Sequence, residues 1–302
     1  MPHEDPWQNE SSMTREHSEN SEPIEIVARD GLILAGRRFP STSPLRGRIL
    51  VAGATGVPQT FYTRFALHAA RAGFETITFD YRGIGQSKQV PLEGFSASFI
   101  DWARQDLAGA IDAIDEDGVP LFLAAHSFGG HALGMLPNHV RIAGVWVCAV
   151  GAGWAGWAPV TERVRLWVLW NLVFPPLVKL KGYMPMSMFG MGEDLPFDVY
   201  RQWRHWCTFP HYFLDDPDAG ELIAACATVR TPILACAALD DAWAPPRSRD
   251  AFLLNAYPNA NIERLDLAPR DYGAIGHVGY FRKHMTAHWD HALEWFAARE
   301  TV

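Results

Sequence analysis

Apolar positions along the chain follow two periods, and the two alternate. "PIEIVARDGLILAGRRF" (23–39) reads as two short strands around Asp30-Gly31, a hairpin signal. "RILVAG" (48–53) is a short buried strand. "QTFYTRFALHAARAG" (59–73) is amphipathic and ends on Gly73, as a helix does. "FETITFDYRG" (74–83) returns to a strand. In 96–118, Ile100, Ala103, Leu107, Ile111 and Ile114 recur at helical spacing. Strands are then predicted at 121–127, 142–151, 231–239 and 261–267, with helices near 247–257 and 286–298. Strands alternating with helices predict a mostly parallel sheet covered on both faces, and the antiparallel start makes it a mixed sheet.

Two stretches break this alternation. Residues 1–22 are polar and nearly free of apolar side chains, so a disordered tail is expected there. Residues 152–229 hold six of the 12 tryptophans (Trp154, Trp157, Trp167, Trp170, Trp203 and Trp206) together with Met184, Met186, Met188 and Met191. That composition suits a helical cap whose inner face lines a pocket, since pockets are mostly apolar and aromatic. The expected organisation is therefore a core in two parts, 23–151 and 230–302, with the cap between them.

The formal net charge of −8 argues for solubility and against a nucleic-acid partner. The stretch 142–160 carries no charge, but four glycines and a strand-like first half argue against a membrane span. The four cysteines, Cys148, Cys207, Cys226 and Cys236, form no C-x-x-C pair. With no secretory signal at the start, they are read as reduced and the compartment as cytoplasmic.

The sharpest local signal is Ala125-His126-Ser127-Phe128-Gly129-Gly130, between a buried strand and a helix. A nucleophile on such a turn needs small residues two before and two after it, here Ala125 and Gly129. A serine hydroxyl needs a base to take its proton. His277, in Gly276-His277-Val278-Gly279, lies between the last strand and the last helix and is the expected base. His126 is expected to point elsewhere. His284, His288 and His291 share one helical face, read as solvated because no H-E-x-x-H glutamate lies between them; no metal is expected. The acid that orients the base should follow a strand. Asp240 and Asp241 compete there, and Asp241 is preferred because only one can face His277 and D-x-x-x-P fits the turn. The oxyanion needs two backbone donors. Phe128 supplies one, and the loop Gly53-Ala54-Thr55-Gly56 the other, from Ala54 or, second, Thr55. Trp203, Trp206 and Trp243 are the expected pocket residues. Gly83-Ile84-Gly85-Gln86-Ser87 lacks the lysine of a phosphate loop, so Asp80 and Arg82 beside it are assigned to holding the turn.

Together "ATGVPQTFY", "FDYRGIGQS", "AHSFGG", "LDDAWAPP" and "IGHVGYF" resemble the α/β-hydrolase superfamily from about residue 23 onward, and within it a bacterial group of predicted hydrolases. The resemblance implies an α/β-hydrolase fold and a Ser-His-Asp mechanism that uses no cofactor. Ala52-Gly53 stands where common esterases have His-Gly. The expected substrate is a small-molecule carboxylic ester or thioester with an apolar group. An acyltransferase with the same acyl-enzyme and a ligand-binding protein on the same fold are the alternatives. A carboxylate-nucleophile hydrolase is disfavoured, because a serine stands at 127.

Overall fold

The computed structural model describes residues 21–300. The expectation of a disordered tail falls on residues outside that range, except that Glu22 already opens the first strand. The main sheet has eight strands: β1 (Glu22–Val27), β2 (Ile33–Phe39), β3 (Gly47–Ala52), β4 (Phe74–Phe79), β5 (Leu121–His126), β6 (Ile142–Cys148), β7 (Ile233–Ala238) and β8 (Ile262–Leu267). Their spatial order is β1-β2-β4-β3-β5-β6-β7-β8. The hairpin β1–β2 joins β4 antiparallel, and every other pairing is parallel. All six residues of β4, β5 and β7 are buried, the mark of strands covered on both faces.

The covering helices are α1 (Thr63–Arg71), α2 (99–114), α3 (Phe128–Ala132), α8 (Pro246–Ala256) and α9 (Thr286–Ala297). Helix α2 opens on a capping box in which Ser98 and Asp101 satisfy each other's backbone amides, so it starts where its apolar stripe starts. One face of the sheet packs Ile77, Trp102, Leu107, Leu123 and Val145 together. The other packs Val51, Phe65, Trp146, Trp289 and Phe296. Arg82 is locked between the carboxylates of Asp106 and Asp30, at 2.7 Å each. Asp80 accepts the amides of Gln59 at 2.7 Å and Gln86 at 3.0 Å, so the turn after β4 is held from both sides.

Between β6 and β7 the chain leaves the main sheet. It forms α4 (Val160–Val168), α5 (Phe174–Lys181), α6 (Phe197–Trp206) and α7 (Gly220–Cys226), with one two-residue ladder pairing Tyr183–Met184 to Leu195–Pro196. Among the described residues no helix is long and apolar enough to cross a membrane.

The histidine face expected to be solvated is a correction. His288 is completely buried against Trp146. It sits on the core-facing side of α9, beside Trp289 and Ala292, while His284 and His291 stay exposed. Helical spacing placed the three together but did not say which of them turns inward.

Candidate active site

Strand β5 ends at His126, and Ser127 follows with φ +50° and ψ −109°. A non-glycine residue there is strained and persists only where its surroundings force it. The forcing contacts are close. The Ser127 amide donates to the Cys148 carbonyl at 2.9 Å, and the Ser127 carbonyl accepts the Gly130 amide at 3.0 Å. A Cβ on Gly129 would sit 2.1 Å from the carbonyl oxygen of Ala52, so only glycine lets α3 meet the end of β3.

His277 lies on the loop between β8 and α9. Its Nε2 accepts from the Ser127 hydroxyl at 3.2 Å, and its Nδ1–H donates to Asp241 Oδ2 at 2.9 Å. Asp241 is 2% exposed, and its other oxygen accepts the amides of Trp243 at 2.8 Å and Ala244 at 2.9 Å. Burial alone would push its carboxyl up. The charge and hydrogen bond of His277, with those two amides, outweigh that and hold it below the usual carboxylate range. Asp240 faces the other way. It accepts the amides of Ile275 at 2.9 Å and Gly276 at 3.1 Å, anchoring the loop that carries His277.

His126 points away from Ser127. Its Nε2 lies 3.0 Å from the His277 carbonyl and its Nδ1 3.0 Å from the Tyr62 hydroxyl. That hydroxyl in turn accepts the Ala54 amide at 2.8 Å. Donor logic fixes the whole file. Tyr62 accepts from Ala54 and has one proton to give, so His126 Nδ1 accepts it and Nε2–H donates to His277. Burial pushes His126 down to about 3, so the ring is neutral and this arrangement is its stable form.

The Ala54 amide is therefore already engaged. The Thr55 amide has no hydrogen-bond partner among the described residues, and neither does that of Phe128. The sequence had no means to show this, because the acceptor is the hydroxyl of a tyrosine eight residues on.

A cavity of about 690 Å³ of empty space, part of it open to solvent, lies over Ser127 and His277. Trp154, Leu166, Leu169, Trp170, Phe174, Met191, Trp203 and Trp243 give it apolar walls. Of the three tryptophans expected in the pocket, Trp203 and Trp243 border this cavity. Trp206 is not on the wall: it is 3% exposed, its indole donates to Asp216 at 3.1 Å, and its ring packs on Tyr212 and Phe213. Trp203 and Trp206 lie three positions apart on neighbouring parts of one face of α6, and only Trp203 borders the cavity, Trp206 being taken up by Tyr212, Phe213 and Asp216. Trp243 is held at both ends: its ring centroid lies 5.3 Å from that of His277, and its indole donates to Glu162 of α4 at 2.7 Å. His131, one turn after Ser127, also reaches the cavity, and sequence reasoning missed it; helical spacing from Ser127 was the available signal. Among the described residues no three of His, Cys, Asp or Glu gather to hold a metal.

A family model described as the alpha/beta hydrolase family matches residues 49–299, and the chain belongs to that family. No curated protein matches it by sequence. Solved structures share the fold. A soluble variant of the Saccharomyces cerevisiae monoglyceride lipase, in complex with a substrate analogue, is 14% identical with a TM-score of 0.65, covering 93% of this chain and 96% of its own. A Pyrococcus furiosus esterase is 11% identical with a TM-score of 0.64, covering 95% and 94%. DcsB, in complex with its substrate analogue, is 15% identical with a TM-score of 0.64, covering 92% and 99%.

Proposed function

We propose that the chain is a serine esterase acting on a small-molecule carboxylic ester or thioester with a bulky apolar group. The observation that carries this reading is the file Asp241–His277–Ser127, joined at 2.9 and 3.2 Å on a serine with φ +50°. His277 Nε2 takes the Ser127 proton as Oγ attacks the carbonyl carbon. Asp241 keeps the ring in the tautomer that can accept it and stabilises the imidazolium that forms. The tetrahedral oxyanion is held by two amides, that of Phe128 and that of Thr55, the second in place of Ala54 because the Ala54 amide is given to Tyr62. His277 then protonates the departing alcohol or thiol, and water repeats the sequence on the acyl-enzyme. The segment 152–229 acts as the cap, its Trp154, Trp170 and Trp203 shaping the pocket. The yeast lipase and the Pyrococcus esterase that share the fold bear names of ester-cleaving enzymes, which supports the same reaction class.

The test is labelling with a fluorophosphonate, followed by hydrolysis of 4-nitrophenyl esters of rising acyl length. The expected result is one label, on Ser127, and turnover of the same samples. Absence of the label, or a label elsewhere, would sink the reading.

A further inference from the structure

The cavity carries a polar group that this chemistry does not use. Tyr212 lies on its wall with φ +61°. That backbone conformation costs about 1 kcal/mol or more for a bulky side chain and needs a compensating reason. The ring is held among His131, Trp206 and Phe252, with centroids at 4.6, 5.3 and 6.0 Å. The residue is 2% exposed.

Buried tyrosines in this protein fall into three groups. Tyr62, Tyr257 and Tyr280 each have a hydrogen-bonded hydroxyl. Tyr81 and Tyr200 have unpaired hydroxyls sealed inside the core. The Tyr212 hydroxyl makes no hydrogen bond among the described residues, yet it is not one of the sealed atoms, and the space its residue borders is the cavity over Ser127. Burial raises its pKa, so it is a phenol with a proton to donate. The neighbouring His131 has no spare donor: burial pushes it down to about 4, and the one N–H of its neutral ring goes to the Gly151 carbonyl at 2.7 Å. Opposite stands Gly153, where a Cβ would lie 2.9 Å from Cys207 Sγ and 3.5 Å from the Tyr212 ring, so the wall is cut back at this point.

We propose that Tyr212 is a specificity-determining residue that donates a hydrogen bond to an acceptor on the part of the substrate lodged in the cavity. The preferred substrate is then an ester whose bulky apolar group carries a carbonyl or ether oxygen, not a plain hydrocarbon chain. This rests on Ser127 being the nucleophile. Four indoles on the wall, of Trp154, Trp170, Trp203 and Trp243, supply the apolar contact. The phenol supplies a directional contact, and a buried donor left unpaired discriminates against analogues that lack its partner.

Two fluorophosphonates of equal size test it, one with an aryl ketone in its side arm and one with a methylene in place of the carbonyl. The readout is the ratio of their second-order labelling rates at Ser127, in the parent and in Tyr212→Phe. The ketone probe is expected to label the parent about tenfold faster, as one net hydrogen bond allows, and the ratio is expected to fall near one in the variant. Equal rates in the parent, or a preference that survives Tyr212→Phe, would overturn the proposal while leaving the serine chemistry standing. A merely structural role for Tyr212 would lower both rates by one factor and keep the ratio, which also overturns it. No labelling of the parent by either probe would remove the esterase reading and this proposal with it. A matched pair of esters, read as kcat/KM, should give the same ratio.

Discussion

The sheet core and the segment inserted between β6 and β7 solve different problems with similar apolar content. In the core, β4, β5 and β7 hide every residue, and their side chains are enclosed by protein. In the insertion, α4 has no buried residue at all, and Val160, Val164, Trp167 and Leu172 stand in solvent while Leu166 and Leu169 face the cavity. One region is specified by packing and therefore holds atoms still. The other divides its apolar surface between water and a hollow, so its contacts leave room for a guest. The proposed reacting groups sit on the first, and most of the cavity wall sits on the second. Catalysis and selectivity should then come apart under mutation.

The largest separation is expected at Ser127. Ser127→Ala should lower ester turnover by at least ~10⁴ with little change in melting temperature, since losing a nucleophile removes the chemistry and not the fold. Activity within tenfold of the parent would refute the assignment. Asp241→Asn is expected to cost up to ~10⁴ in kcat by favouring the wrong His277 tautomer. Asp240→Asn should cost far less, because it loosens the loop amides of Ile275 and Gly276 without touching the ring. A larger loss at Asp240 would exchange their roles.

A further prediction concerns the buried histidines. His126, His131 and His288 are buried, with pKa values pushed down to about 3, about 4 and about 3. Their folded values lie below the unfolded one of ~6.5, so below that pH the unfolded chain binds more protons. Stability is thus complete above pH ~6.5 and falls as pH drops toward 4, by about 2 kcal/mol per histidine at pH 5. Urea unfolding at pH 7 and pH 5 measures it, and equal midpoints would contradict the neutral assignments. Removing one of the three, as in His288→Phe, should flatten the slope by about a third.

The smallest expected effect divides the two tryptophans of α6. Trp203→Ala should change the preferred acyl length by a graded factor, since one methylene in a pocket is worth ~1–3 kcal/mol. Trp206→Ala should lower stability by ~3–5 kcal/mol and reduce all esters alike, because its ring is core. A shift in chain preference at Trp206, with none at Trp203, would reverse the placement of the two rings.

Different features of the molecule were legible to different degrees, for physical reasons. The strands and most helix ends could be read because each depends on residues adjacent in sequence. Ser127, His277 and Asp241 could be placed together because each follows a strand end, and parallel strands bring those ends to one edge. The oxyanion donor could not be resolved, since the Ala54 amide is taken by Tyr62 only after α1 has packed. Trp206 was misplaced because composition counts tryptophans without saying which of two neighbouring rings on one helix the core takes up. Tyr212 gave no signal at all: nothing local in "PHYFLDD" announces a left-handed tyrosine.

The file Ala54–Tyr62–His126–His277 has a further consequence. Each member passes on a single proton, so its polarity runs one way, from the loop beside β3 to the loop before α9. The two loops flanking Ser127 are thereby linked like two hands on one rod. A change that tilts either loop is transmitted to the other, so substitutions at Tyr62 and Asp240 should be non-additive in kcat, a coupling that a double-mutant cycle reads directly.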